Sequence, residues 1–147
     1  MTLHSRRRMT VVLLAGAVLS AWPARGGDPE FKIVVHPDRQ AQVERSFLAD
    51  AFLKNVTRWP DDEAIRPVDQ RADSATRRKF SETVLKRSVV AVKTYWQQRI
   101  FSGRGIPPPE LDSDEAVIRY VESHPGAVGY VSGSAAVGKA KVATVTH

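Results

Sequence analysis

Apolar and polar positions along this chain alternate between two periods. Phe31–Val35 (FKIVV) is a short, β-branched apolar run halted by His36-Pro37, and it predicts a buried strand. From Gln40 to Asn55 the apolar residues Val43, Phe47, Leu48, Ala51 and Phe52 recur on one helical face, with Arg45, Asp50 and Lys54 off it. That spacing predicts a helix over 40–55, closed by Asn55, which tolerates a left-handed cap. Val56–Asp62 reads as a turn-rich connector, because Trp59-Pro60 disfavours helix and Asp61-Asp62 favours turns. Trp59 is expected to anchor that turn by packing. Ile65–Val68 is apolar but interrupted by Pro67, which suits an edge strand or extended loop.

A second helix is expected from about Ser74, capped by Asp73 or Ser74, with Phe80, Val84 and Leu85 as its apolar stripe. A third follows Ser88, with Val92, Trp96 and Ile100 on its buried face. Residues 102–109 (SGRGIPPP) form a stiff loop free of helix. A fourth helix runs over about 114–123, capped by Ser113 and ended by His124-Pro125-Gly126. Ala127–Val131 predicts a strand in which Gly129 permits close approach, and Lys141–Thr146 alternates like a final strand. The alternation of strand and helix predicts an α/β fold: a single lobe with a mixed sheet flanked by helices.

The N-terminus follows another pattern. Arg6-Arg7-Arg8 precedes the uncharged run Val11–Leu19, then small residues up to Gly27, and the first acidic residue is Asp28. This is the layout of a signal peptide, expected over 1–26, with the lobe over 27–147. Ser5–Met9 also resembles a twin-arginine export signal. The net charge of +6 shrinks when this leader is set aside: without Arg6, Arg7, Arg8 and Arg25, 18 basic residues face 16 acidic ones, a charge of +2. A nucleic-acid partner loses its support. There is no cysteine, hence no disulfide, thiolate or lipoprotein anchor, and the four histidines lack metal-ligand spacing. A soluble periplasmic protein without metal or cofactor is expected.

The candidate site is Arg71-Ala72-Asp73-Ser74-Ala75-Thr76, where an extended segment turns into a helix. The first N–H groups of a helix have no intrahelical partners, and its dipole is positive there. Ser74 and Thr76 add hydroxyl donors, and Arg71 adds a planar fork suited to oxyanions. Asp73 can accept from a protonated oxyanion. The alternative reading is a simple N-cap beside a solvated arginine. Asp61-Asp62-Glu63 reads as a solvated turn, and Asp112, Asp114 and Glu115 as a solvated, dipole-favoured helix start. No catalytic constellation stands out, so no enzyme is expected.

Phe52–Ile65, Pro67-Val68-Asp69, Ser74-Ala75-Thr76 leading to Phe80, Trp96–Gly103 with Pro107-Pro108, and Pro125–Val131 (PGAVGYV) together resemble, in order, the second lobe of phosphate-binding proteins of ABC transporters. The resemblance covers residues 31–133. It implies a periplasmic-binding-protein lobe, inorganic phosphate or a similar oxyanion as ligand, and an ABC permease or another envelope protein as partner. It places Ser74 and Thr76 on phosphate-contacting positions. Arg71 and Asp73 match only across a one-residue gap, without which Gln70 takes the arginine position, and Ala75 stands where the family has glycine. The resemblance is to one lobe of two, which implies an open half-site that a homodimer could close. The competing expectation is a non-transporting interaction or scaffold module that kept the lobe but not the full phosphate site.

Overall fold

The computed structural model describes residues 30–147. The expected leader lies outside them. Seven strands and four helices follow in order: β1 (Phe31–Val35), β2 (Gln42–Glu44), α1 (Arg45–Phe52), β3 (Arg66–Pro67), β4 (Asp69–Gln70), α2 (Ala75–Phe80), α3 (Val89–Phe101), β5 (Glu110–Leu111), α4 (Asp114–Ser123), β6 (Ala127–Ser132) and β7 (Lys141–Thr146). A π-helical turn over Ser81–Leu85 extends α2 and ends at Lys86, which has a positive φ of 55°.

The main sheet has the order β2-β7-β1-β6-β3. β1 is antiparallel to both β6 and β7, while β2 is parallel to β7 and β3 to β6. β4 and β5 form a separate parallel pair. The fold is therefore α/β with a mixed sheet, as the alternating pattern predicted. Pro67 sits in the edge strand β3, where its missing N–H breaks no central ladder.

Helices cover both faces of the sheet. Ile33, Val35, Val128 and Tyr130 pack with Phe52, Phe80 and Trp96 on one side. Val34 and Val131 pack with Val117 and Val121 of α4 on the other. A strand buried on both faces needs no polar alternation, which is why Ile33-Val34-Val35 is continuously apolar. The Phe80 and Tyr130 rings stack with centroids 4.0 Å apart and planes 8° from parallel, and Phe52 lies 4.6 Å from Phe80. Such pairs add about 0.5–1.5 kcal/mol each beyond their buried area.

Two expected elements change. The helix predicted over 40–55 is confined to Arg45–Phe52, and Gln42–Glu44 is instead a strand on β7. Val43 is buried through that strand, and the Thr144 N–H donates to the Ala41 carbonyl at 2.8 Å. Ladder bonds to a distant strand outweigh a helical period that Val43 fits only by coincidence of spacing. The left-handed residue at the end of α1 is Lys54, with φ 55°, rather than Asn55. Ile100 is the second correction: it is half exposed in the last turn of α3, whereas Val92 and Trp96 are buried as expected.

Ser74, Ser88 and Ser113 each cap a helix, their hydroxyls accepting from Arg77, Ala91 and Ala116 N–H. Trp59 is the expected turn anchor: it is buried, and its indole N–H donates to the Gly126 carbonyl at 2.9 Å. No helix among the described residues is long and apolar enough to cross a membrane.

Candidate functional site

α2 begins where β4 leaves the sheet. Arg71 N–H donates to the Leu111 carbonyl of β5 at 3.2 Å, and Ser74 N–H turns back to the Arg71 carbonyl at 3.0 Å. Ser74, extended at φ −66° and ψ 131°, is the N-cap. Its hydroxyl accepts from Arg77 N–H at 3.3 Å, and Arg78 N–H reaches its carbonyl at 3.1 Å. The N–H groups of Ala75 and Thr76 have no partner among the described residues. Ala75 is exposed and Thr76 half-buried, so the helix start is open to solvent. Residues 71–76 are thus neither sealed beneath side chains nor placed mid-helix. None of them has a positive φ, so Ala75 is under no conformational strain.

The side chains are less free than their residue types suggest. The Ser74 hydroxyl donates to Gln70 Oε1 at 2.8 Å, so its proton is engaged. Thr76 keeps its hydroxyl without a protein partner among the described residues. Arg71 is paired with Asp73 at 2.9 Å, both largely exposed. An exposed pair of this kind is worth about 0–1 kcal/mol, so Arg71 can exchange Asp73 for an anion at little cost.

Beneath the helix start lies a buried polar network. Gln70 is 6% exposed and saturated: its Nε2 donates to Asp114 Oδ1 at 2.8 Å and to the Tyr130 carbonyl at 3.0 Å. Asp114 also accepts from Ser132 N–H at 3.1 Å and Ser132 Oγ at 2.6 Å. It is therefore a bridge between α4, β6 and Gln70, not the solvated helix start expected, because three neutral donors replace water around it. Arg77 donates to Glu110 at 2.5 Å and to the Gln70 carbonyl at 2.6 Å, and lies 3.4 Å from Asp69. The Tyr130 hydroxyl donates to Asp69. Burial pushes the Asp69 carboxyl above the usual range, against the pull of Arg77 and Tyr130. Burial and the neighbouring Asp69 likewise raise Tyr130. Burial opposes the charge on Arg77, yet Asp69 and Glu110 hold its pKa above the ordinary arginine value.

Most of this network escaped the sequence reading. One signal was present: Arg77 lies three residues before Phe80 and seven before Val84, on the apolar stripe of its own helix. The Asp61–Glu63 turn is solvated as expected, with Asp61 and Asp62 exposed, but it is also tied down. Arg39 binds Asp61 at 3.0 and 2.6 Å and Glu63 at 2.7 Å, so the turn is pinned to the loop after β1. No group of three or more metal-ligating side chains occurs among the described residues.

No protein-family model and no curated protein sequence matches the chain. Solved structures do match. A protein of Clostridium perfringens described as a phosphate ABC transporter substrate-binding protein with bound phosphate aligns at a TM-score of 0.62 and 17% identity, over 79% of this chain and 44% of that one. An ABC-type phosphate transport receptor of Vibrio cholerae aligns at 0.61 and 20% identity, over 79% and 46%. PstS of Borrelia burgdorferi aligns at 0.60 and 11% identity, over 80% and 47%. The chain has the fold of a single lobe of a phosphate substrate-binding protein. It spans less than half the length of these proteins. At such identities the likeness establishes the fold, as the ordered segments from Phe52 to Val131 implied.

Proposed function

We propose that this lobe binds phosphate or a related oxyanion at the start of α2, as the solute-binding component of an exported transport or sensing system. The observation that carries the reading is the pair of unpartnered N–H groups of Ala75 and Thr76 at the open helix start. These amides and the helix dipole supply partial positive charge. Thr76 Oγ1 adds a neutral donor, and Arg71 adds charge once it releases Asp73. Asp73 then accepts from a protonated oxyanion such as monohydrogen phosphate. Ser74 contributes as the cap that orients the amides, since its own proton is held by Gln70. The leader expected over 1–26 would deliver the lobe to the periplasm, where an ABC permease is the partner this reading names. The reading includes no catalytic step. Titration calorimetry of the purified protein with phosphate tests it, with chloride as control. Saturable heat at millimolar phosphate or below supports the reading, and its absence together with an unchanged melting temperature rejects it.

A second reading is favoured by one observation: the charged side chains around the helix start are already paired within the protein, Arg71 with Asp73 and Arg77 with Asp69 and Glu110. A lobe so neutralised suits a non-transporting envelope interaction module. Recovery of the same envelope partner with and without phosphate would favour this reading over the first.

A further inference from the structure

A cavity of about 420 Å³ lies at the other end of the sheet from α2. β3 is parallel to β6 and β1 is antiparallel to it, so the turn after β1 and the start of α2 occupy opposite ends. The volume falls within the range typical of ligand pockets. Its apolar wall is Val43, Phe47 and Trp59, with the Phe47 and Trp59 rings 5.5 Å apart. Its polar rim carries three carboxylates: Asp38, Glu44 and Asp61. The one cation in the lining, Arg39, is already engaged by Asp61 and Glu63 and sits 5.4 Å from the Trp59 ring. Asp38 and Glu44 are thus left without a lysine or arginine partner among the described residues, while Lys141 Nζ donates to the Arg39 carbonyl at 2.9 Å.

One wall of the cavity is a strand edge. β2 is the terminal strand of the main sheet. The Thr144 N–H reaches the Ala41 carbonyl, which sets the parallel register with Gln42 opposite Thr144. In that register the Ala41 carbonyl and the Val43 backbone face β7, and the N–H and C=O of Gln42 face outward. Gln42 lines the cavity and is exposed. Unpaired strand edges accept an extended peptide by backbone bonding, with alternate side chains entering adjacent pockets.

We propose that this cavity is a docking surface for a basic, extended peptide segment of a partner protein. The segment pairs with Gln42 through its backbone. It rests the stem of a lysine or arginine against the partly exposed Phe47, and brings that cation to Asp38 and Glu44. Long basic side chains suit such a site, since their methylene stems cover apolar surface while the charge stays at the rim. This surface is separate from the start of α2 and does not depend on phosphate binding there.

The test is an amide NMR titration of the protein with a short blocked peptide of alternating lysine and valine. The expected result is saturable shifts at Gln42, Glu44 and the Trp59 indole, and none at Ala75 or Thr76. Asp38→Asn with Glu44→Gln, both at exposed positions, is expected to weaken binding about tenfold, as loss of two exposed ion pairs predicts. Raising salt should weaken the parent complex and leave that of the double variant nearly unchanged. A glutamate–valine peptide binding equally well would overturn the proposal. So would cadaverine matching the lysine peptide, since the amine alone would then suffice without a strand, and so would a titration that leaves Gln42 unmoved.

Discussion

The Tyr130 hydroxyl of β6 donates to the Asp69 carboxylate of β4, with both groups buried directly beneath the start of α2. Arg77 completes the cluster from the helix itself, 3.4 Å from Asp69. This arrangement ties the candidate anion site to the centre of the sheet, and two predictions follow from it.

Arg77→Leu leaves Asp69 buried beside Glu110 without its cation. Breaking a buried pair from one side costs about 3–5 kcal/mol. Urea unfolding should show a loss of that size. The double replacement Arg77→Leu with Asp69→Asn should recover part of it, because no uncompensated charge remains beneath the helix and the amide oxygen still accepts from the Tyr130 hydroxyl.

The raised pKa of Tyr130 makes stability depend on alkaline pH. The unfolded chain releases the tyrosine proton near pH 10, the ordinary value, while the folded protein still holds it. Bound protons are then more numerous in the folded state, so stability falls as pH rises past that point. Tyr130→Phe should lack this component. The two proteins' unfolding free energies, measured from pH 8 to 11, should converge at the alkaline end with a difference in slope of at most about 1.4 kcal/mol per pH unit.

Gly129 faces α4 across the sheet. A Cβ there would lie 2.8 Å from Val117 Cγ1 and 2.9 Å from Val68 Cγ2. Both neighbours are fully buried, so neither can withdraw easily. Gly129→Ala should destabilise by about 1–3 kcal/mol through overpacking, read as a lower urea midpoint with an unchanged slope.

Ala75→Pro separates binding from folding. Ala75 is the first residue of α2, where proline's fixed φ is favourable and no intrahelical bond is lost. Ser74 already has the extended geometry that a residue before proline prefers. The melting temperature should hold or rise slightly, while the substitution removes one of the two free amides. Phosphate affinity should fall about tenfold by calorimetry, the loss expected for one hydrogen bond to a charged group. Unchanged affinity would move the site away from the helix start.

The amino-acid order by itself determined the local elements whose signals are short-range. The β-branched run at Ile33–Val35, a helix cap at Asp73 or Ser74, the cap at Ser113 and the interruption of a strand by Pro67 were legible, because each depends on sterics or bonding within a few residues. So was the position of the helix start at Ala75. Tertiary structure alone decided what surrounds it. The pairing of Gln42–Glu44 with β7 joins residues about a hundred positions apart and shortens α1. The capture of the Ser74 proton by Gln70, and of Asp114 by Gln70 and Ser132, depends on β4, α4 and β6 meeting in space. A polar side chain's type states what it can donate or accept. Only the packed chain sets which partner reaches it before water does, and hence whether its charge is left free for a ligand.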